Sequence, residues 1–366
     1  MKPLIIPVFI PNQGCPNVCI FCNQKKITGM TDLPGRDDVR RVIEEGTKGD
    51  GSLFYRKKSE KKKETRPLFS LFSASLNKPQ RNTCFKEVAF YGGSFTGLDL
   101  KYQEELLGEG KKAIDSGLIE GIRISTRPDY INERVLKTLK AYGVRTIELG
   151  VQSFSDRVLE SSKRGHNSSC IFNACEIIRE SGFNLGIQLM MGLPQDSEET
   201  LIDSAEKAIG IKPNFVRIYP VLVLKDTELE ELYLKGEYKP LSMEETIRIG
   251  KVMVKGFYMA GIPVIRFGLQ PTDTINPDKD VIAGPFHPSL RHIIDSELAF
   301  EKMKMVIEAN ELSGRQVSFS VPKKEISIFQ GIKKENIGRL KEVFGLRGIH
   351  FVVMKNAETG FSLPVR

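Results

Sequence analysis

The sequence has few histidines and no long apolar segment. Its histidines are His166, His287, His292 and His350. None of them forms a closely spaced helical pair with an acid, so the pattern typical of metallohydrolases is absent. No apolar run approaches the ~20 residues that cross a membrane, and no membrane partner is expected.

The apolar residues 3–11 match a short signal segment only superficially. The run is broken by Pro7 and ends in Pro11-Asn12-Gln13 without a small-residue cleavage site, which is not typical of an exported protein. We interpret the run as a first buried strand. Because 40% of the 366 residues are hydrophobic, the chain can build a sizeable core, and we expect a soluble globular protein.

The six cysteines do not form the regular framework of a disulfide-rich secreted domain. Three of them, Cys15, Cys19 and Cys22, lie close together with C-x3-C-x2-C spacing. Cys170 and Cys175 are predicted to be small core residues. This distribution favours a reducing compartment, and we expect a cytoplasmic protein.

Three thiols within eight residues can bind one metal centre without help from distant parts of the fold. A closed structural zinc site takes four protein ligands, and the next candidates, Cys84 and His166, lie far along the chain. Three ligands suit a cubane iron–sulfur cluster with one iron open to a small molecule. The spacing therefore predicts an iron–sulfur centre, with structural zinc as the alternative.

The net charge of +8 is concentrated in one segment. Residues 50–82 contain nine Lys or Arg against three acids, which accounts for most of the excess positive charge. Such a segment is either a solvated loop or an arm that binds nucleic-acid phosphates.

From residue 87 a short apolar strand, a turn and a helix alternate along the chain. The predicted strands cover residues 87–91, 121–126, 146–151, 184–190 and 215–219. With the strand before the cysteines they make six strand–helix units, which predict a parallel sheet, either open and doubly wound or a partial barrel. In both architectures the loops at the carboxyl ends of the strands form the site.

Glycine or polar residues follow the predicted strands 87–91, 121–126, 146–151 and 184–190. Gly92, Gly93 and Ser94 would let a ligand approach the backbone closely, although a double glycine after a strand also forms simple turns. The other candidate site residues at strand ends or helix boundaries are Ser125, Glu148, Gln152 and Arg164, and a further candidate, Gln188, lies inside an apolar strand.

Each of these candidates has a simpler alternative. Arg164 could hold a carboxylate bidentately or lie exposed in a capping turn. Glu148 could form a surface salt bridge, and Gln188 could be a core amide bonded to strand backbone. The residue types alone do not choose between a binding site and these structural roles.

The alternating pattern changes after about residue 222. A stretch predicted to be extended and polar runs to residue 240. Helices are predicted at residues 243–259, 289–310 and 335–344, and strands at 262–267, 316–321 and 350–354. We therefore predict two domains, a core of residues 1–222 and a C-terminal α/β region of residues 223–366.

Taken together, the motifs resemble the radical S-adenosylmethionine (SAM) superfamily over about residues 4 to 220. Besides the three cysteines and Gly92-Gly93-Ser94, the matching segments are Ser125-Thr126-Arg127-Pro128-Asp129, Glu148-Leu149-Gly150-Val151-Gln152-Ser153, Arg164-Gly165-His166 and Gly192-Leu193-Pro194. The sequence looks most like the branch that contains the catalytic subunit of Elongator, with the oxygen-independent coproporphyrinogen oxidases close by. The resemblance implies a partial (β/α)6 TIM-like barrel with a small C-terminal α/β region.

The resemblance also implies a [4Fe-4S] cluster on Cys15, Cys19 and Cys22, with SAM on its open iron. Reduction by a flavodoxin- or ferredoxin-type electron donor would cleave SAM to methionine and a 5′-deoxyadenosyl radical. The loop of Gly92, Gly93 and Ser94 would hold the SAM amino group. By the same resemblance, Arg164 would hold its carboxylate, Gln188 would lie near a ribose-binding position, and Ser125, Glu148 and Gln152 would line the rest of the pocket.

The resemblance implies a radical SAM enzyme with tRNA as a candidate substrate. Elongator's catalytic subunit has wider spacing before its second cysteine and carries an acetyltransferase domain, for which this sequence has no room before Arg366. Carboxymethylation from acetyl-CoA is therefore not expected. Two alternatives stay open: a coproporphyrinogen-oxidase-like protein or haem chaperone, and a non-catalytic, zinc-stabilised RNA-binding protein.

Overall fold

The computed structural model describes residues 4–11, 14–15, 19–24, 27, 32–48, 85–269, 271, 275–276 and 279–353. The basic segment predicted at residues 50–82 lies outside the described residues, and so does the end of the strand predicted at 350–354. Across the described residues, strands and helices alternate as the sequence pattern predicts.

Most strands of the described residues belong to one parallel sheet, which contains β1 to β6 and β8 in that spatial order. In chain order the strands are β1 (Leu4–Ile10), β2 (Lys86–Gly92), β3 (Gly121–Thr126), β4 (Val144–Gln152), β5 (Asn184–Met191), β6 (Phe215–Pro220), β7 (Val223–Leu224), β8 (Val264–Phe267), β9 (Val281–Ala283), β10 (Gln316–Val321) and β11 (Gly348–Val353).

Helices connect the parallel strands and cover the outer face of the sheet. In chain order, those of the described residues are α1 (Arg36–Lys48), α2 (Leu100–Asp115), α3 (Glu133–Ala141), α4 (Asp156–Ser161), α5 (Ser168–Glu180), α6 (Glu198–Ile211), α7 (Glu228–Leu234), α8 (Met243–Met259), α9 (Leu290–Ala309), α10 (Ile326–Gln330) and α11 (Glu335–Phe344). Among them, no helix is long and apolar enough to cross a membrane.

The two faces of the sheet differ in polarity because strand side chains alternate. In β3, Ile122 and Ile124 are fully buried in the main hydrophobic core. Arg123 lies between them on the opposite face, 2.7 Å from Glu148 of β4. The outer face is therefore apolar and packs under the helices, whereas the inner face carries charged side chains.

Contacts between distant strands show that the sheet is curled. The Tyr91 hydroxyl of β2 lies 2.9 Å from Nη2 of Arg217 in β6, although three strands separate β2 from β6. In a flat sheet those strands would lie roughly 19 Å apart. A curled parallel sheet with its strands in chain order is the topology of a partial barrel, here with a seventh strand, β8, beyond the predicted six units.

The C-terminal stretch contains one difference from the sequence prediction and one predicted strand whose partner was not predicted. The segment predicted to be extended up to residue 240 contains α7, which begins where the Thr227 side chain accepts a hydrogen bond from the Glu230 amide. The strand predicted at residues 262–267 forms β8 and pairs with β6. The sheet thus continues past residue 222, where the sequence pattern predicted a domain boundary.

The remaining C-terminal strands form two small sheets. β7 and β9 pair antiparallel, and β10 and β11 pair parallel beside α10 and α11. The helix predicted at residues 243–259 is confirmed as α8, which begins with a capping box formed by Ser242 and Glu245. These elements pack on the β6–β8 side of the sheet and share its main hydrophobic core.

Candidate functional site

The three clustered cysteines lie just past the carboxyl end of β1. We call this end of the half-barrel, formed by the loops after β1, β2 and β3 and by the turn that carries Arg164, the mouth. Cys19 is buried, Cys22 is half-buried and Cys15 is exposed. The Cys22 amide donates to the Cys19 carbonyl at 3.0 Å, which forms a tight turn between the two thiols. Ile20 joins this turn to the rest of the mouth, because its carbonyl accepts from the Leu229 amide at 2.9 Å.

Gly14 brings the cysteine segment into backbone contact with the loop after β2. Its φ of +72° is in the left-handed region, and a Cβ there would lie 2.0 Å from the Ser94 carbonyl oxygen. A Cβ at Gly97 would likewise lie 2.0 Å from the Gly14 oxygen. Only glycine fits either position, so the two loops are packed as one unit.

Ser94 joins that unit to the end of β3. Its hydroxyl lies 2.9 Å from the Thr126 hydroxyl and accepts from the Arg127 amide at 3.2 Å. The Gly93 amide donates to the Ile10 carbonyl at 2.9 Å. Hydrogen bonds and backbone contacts therefore join the segments after β1, β2 and β3 next to Cys15.

Arg164 reaches the same place from the turn after α4. It is buried, and its Nη1 donates to Cys19 Sγ at 3.1 Å while its Nη2 donates to the Gly150 carbonyl at 2.7 Å. The exposed capping turn considered from the sequence is not how this side chain lies. This contact places the positive charge of Arg164 beside Cys19, one of the three candidate metal ligands.

Arg127 is a second buried arginine beside the cysteines. Its Nε and Nη2 donate to the two carboxylate oxygens of Asp129 at 2.9 and 2.8 Å. Nη2 also donates to the Arg164 carbonyl. Arg127 therefore holds the backbone from which the Arg164 guanidinium projects.

Several buried nitrogens at the mouth have no hydrogen-bond partner within the described residues. They are Arg127 Nη1, Arg164 Nε, and Nδ1 and Nε2 of His166. Burial and the nearby Arg164 lower the pKa of His166 to about 4, so its ring is neutral at pH 7. Unpaired buried N–H groups are costly, and this set is suited to an anionic or polar ligand.

Two of the thiols, those of Cys15 and Cys22, have raised pKa values. Burial, and secondarily the neighbouring Cys19, raises the pKa of Cys22 to about 12. Burial also raises the pKa of Cys15, although Arg127 and Arg164 oppose the shift. A bound metal would replace these thiol protons, and the two guanidiniums would offset the negative charge of the thiolates.

The chemistry of the donor set limits the kinds of metal centre that it fits. Three thiols supply one ligand fewer than the four of a closed structural zinc site. Three cysteine ligands suit a cubane iron–sulfur cluster with one iron left open.

The remaining predicted residues lie deeper in the half-barrel. Gln188 donates from Nε2 to Gln152 Oε1 at 3.2 Å, so these two amides form a pair. Gln152 has a φ of 70° at the end of β4. Ser125 pairs in register with Glu148 on the neighbouring strand.

Glu148 belongs to a buried ionic network on the inner face, which we call the floor network. Its Oε1 accepts from Arg123 Nη1 at 2.7 Å and from the Tyr91 hydroxyl at 3.0 Å, and Arg217 Nε lies 2.8 Å from its Oε2. Arg123 also donates twice to Glu87, at 2.6 and 3.0 Å. The surface salt bridge considered for Glu148 is therefore not present.

Sequence reasoning missed the other floor residues. Arg123 and Arg217 each interrupt an otherwise apolar strand, and Glu87 begins one. Charged residues at alternating positions of buried strands were the available signal, since such side chains must be paired. The sequence did not indicate which strands would bring the partners together.

Comparison with known proteins gives two family matches. The radical SAM superfamily matches residues 74–208, and the Radical_SAM C-terminal domain matches residues 213–299. The first match begins after the cysteine segment. Together the two matches cover most of the half-barrel and the stretch that supplies β8.

Two groups of curated relatives are similar in sequence. The tRNA uridine(34) acetyltransferase of Methanocaldococcus jannaschii is 31% identical over 183 residues, which are 44% of this chain and 34% of the relative. Elongator complex protein 3 of Bos taurus is 31% identical over 201 residues, 54% of this chain and 35% of the relative. The chain thus spans about a third of the length of these relatives.

A solved structure confirms the predicted fold class. Archaeal Elp3 of Methanocaldococcus infernus, with an N-terminal deletion, superposes with a TM-score of 0.56 at 20% identity. The match covers 85% of this chain and 64% of that one. The partial barrel predicted from the sequence, with its small C-terminal α/β region, is the architecture of this protein.

Proposed function

Because the chain belongs to the radical SAM superfamily, we propose that Cys15, Cys19 and Cys22 hold a [4Fe-4S] cluster and that SAM binds beside it at the mouth. The superfamily is one of enzymes that use these two cofactors. When bound and reduced, the cluster supplies the electron that cleaves SAM to methionine and a 5′-deoxyadenosyl radical. The protein's own residues bind, orient and shield these groups.

The mouth divides the binding of SAM among its loops. The backbone of Gly92, Gly93 and Ser94 receives the amino group, and the free Nε of Arg164 donates to the carboxylate. The paired amides of Gln152 and Gln188 bind the ribose hydroxyls, because each amide can both donate and accept. In the proposed pocket, Ser125 and Glu148 form the lower side, where Glu148 is also a member of the floor network.

We propose tRNA as the substrate. The M. jannaschii relative is named a tRNA uridine(34) acetyltransferase, and the excess of Lys and Arg at residues 50–82 provides charge for phosphate contacts. A cytoplasmic location and a flavodoxin- or ferredoxin-type donor accompany this assignment. Residues 1–222 would form the catalytic core, and residues 223–366 would extend the surface available to the tRNA.

The contact between Arg164 and Cys19 at 3.1 Å, beside unpaired buried donors, carries the proposal. The test is anaerobic reconstitution with iron and sulfide, followed by dithionite and SAM. We expect about four irons per chain and formation of 5′-deoxyadenosine. Cys19→Ala should lose both, whereas Cys170→Ala, a free cysteine outside the loop, should keep both. A colourless protein with one zinc would refute the proposal.

The same preparation tests the substrate. Neutralising Lys57, Lys58, Lys61, Lys62 and Lys63 together should weaken tRNA binding and reduce its dependence on salt concentration. An unchanged salt dependence would remove the basic segment from the tRNA interface. Comparing the modified nucleosides of a deletion strain with those of its parent would identify the modified position.

A further inference from the structure

One guanidinium nitrogen at the mouth has no role in the proposed binding of SAM. Arg127 is only 3% exposed, and its Nη1 has no partner among the described residues. Its other two nitrogens are fixed by Asp129 and by the Arg164 carbonyl. A guanidinium is planar, so two fixed nitrogens also fix the direction of the third.

Arg127 is joined to the cysteine segment through Ser94. The Arg127 amide donates to Ser94 Oγ at 3.2 Å, and the Ser94 carbonyl packs directly on Gly14, the residue before Cys15. The Arg127 Nη2 group donates to the carbonyl of Arg164, whose own guanidinium donates to Cys19 Sγ. Arg127 therefore lies next to both residues that contact the cysteine segment, Ser94 and Arg164.

An unpaired buried donor on a charged group is costly, because its desolvation is not repaid by a hydrogen bond. This donor is also held in place by a bidentate ion pair, which is the most directional interaction available to arginine. A buried donor left without a partner on a residue beside the cysteine segment points to a partner that arrives with the metal centre.

We propose that Arg127 donates its Nη1–H to a sulfur of the cluster beside Cys15 and Cys19 and thereby raises the reduction potential of the cluster, while Asp129 limits the rise. This inference rests on the proposed function. A positive charge and an N–H···S bond both favour the reduced cluster, which carries one more negative charge. Asp129 acts in the opposite direction because it partly neutralises the guanidinium.

The test is an EPR-monitored redox titration of the reconstituted full chain without SAM. Arg127→Gln should be about tenfold harder to reduce, which is a fall of about 59 mV in a one-electron potential. Asp129→Asn should shift the potential upward. Arg127→Lys keeps the positive charge but loses the planar, multi-donor geometry of the guanidinium. Its potential should therefore lie between those of Arg127→Gln and the wild type.

Arg157→Gln is the matched control, because Arg157 is an exposed arginine whose Nη2 donates to the Gln195 carbonyl at 3.1 Å. Its potential should equal that of the wild type. Opposite shifts for Arg127→Gln and Asp129→Asn support the inference, since loss of packing would not change sign between them.

Two outcomes would overturn the inference while leaving the proposed function intact. One is a wild-type potential in both variants. The other is an unchanged potential in Arg127→Gln with a weaker dissociation constant for SAM, which would assign Arg127 to the SAM carboxylate. If Arg127→Gln loses iron, Arg127→Lys and Asp129→Asn decide the question. If the wild type itself binds no cluster, the proposed function fails instead.

Discussion

The floor and the mouth of the half-barrel both contain buried arginines, but they use them differently. In the floor network, Arg123 and Arg217 face Glu87 and Glu148, and their charges balance. Arg217 Nε makes no hydrogen bond of good geometry, but it lies 2.8 Å from a Glu148 carboxylate oxygen. At the mouth, Arg127 Nη1 and Arg164 Nε have no hydrogen-bond partner among the described residues. The floor arginines satisfy carboxylates of the same chain, whereas the mouth arginines keep donors for a group that the chain does not itself supply.

The difference separates stability from binding. A charge-balanced network loses stability when one partner is removed, because the other charge stays buried. A site with excess positive charge and free donors instead gains stability when an anionic ligand arrives. The two regions should therefore respond differently to substitution.

The largest effect is expected from Arg123→Met, which removes one of the two floor cations and leaves Glu87 and Glu148 partly uncompensated. Its free energy of unfolding should fall by about 3–5 kcal/mol, measured by urea denaturation at pH 7. Arg134→Met, on the exposed face of α3, should change it by less than about 0.5 kcal/mol. Similar losses for both variants would show that the floor network does not stabilise the fold.

The pH dependence of unfolding should show the contribution of Asp196, a buried carboxyl near the carboxyl end of β5. Burial raises the pKa of this carboxyl to about 6, against hydrogen bonds from Thr200 and the Gly192 amide. Between about pH 4 and pH 6 the folded state therefore binds more protons than the unfolded state, and stability falls as pH rises. Asp196→Asn lacks this pH dependence. Its free energy of unfolding, measured by urea denaturation, should therefore rise by about 2–3 kcal/mol relative to that of the wild type between pH 4 and pH 7.

Glu109→Gln should show the opposite dependence of stability on pH, because the pKa of Glu109 is lowered and not raised. Burial would raise the pKa of Glu109, but Lys112 and Arg40 outweigh it and hold the pKa below its usual range. The stability from these ion pairs is present above the unfolded pKa and lost as pH falls. The free energy of unfolding of this variant should therefore fall relative to that of the wild type as pH rises. Parallel pH profiles for both variants would contradict the assignment.

The smallest effect on global unfolding is expected from Gly14→Ala at the mouth. The left-handed backbone costs alanine about 1–2 kcal/mol, and its Cβ would overlap the Ser94 carbonyl. The cysteine segment should shift away from the loop after β2 while the sheet stays folded. Iron content after reconstitution should drop severalfold with little change in the unfolding midpoint. Gly117→Ala, which has space around its Cβ, should retain its iron.

Local patterns predicted most of the half-barrel. The strand at residues 121–126 and the helix at 243–259 have the predicted bounds, because apolar periodicity and capping residues act over a few positions. Pairing between strands is a long-range property, so the joining of β8 to β6 was not predicted. For the same reason Arg217 was not matched with Glu148.

The site was predicted more completely for its backbone than for its side chains. Gly92, Gly93 and Ser94 stand out because a glycine pair after a strand is locally recognisable, and the structure places them beside the cysteine segment. Arg127 was recognised only as a cation at a strand end. Its free nitrogen depends on Asp129 and on the Arg164 carbonyl, which lies far along the chain.

The pairing of β1 with β2 has a kinetic consequence. Leu4 pairs with Lys86, and this connection is the longest between neighbours in the seven-stranded sheet. Closing a long connection costs chain entropy before any contact repays it, so edge strand β1 should dock late in folding. The cysteine segment follows that strand directly, and iron loading is thereby coupled to its docking. Amide hydrogen exchange in β1 should slow when the metal centre is assembled, while exchange in β4 and β5 stays the same.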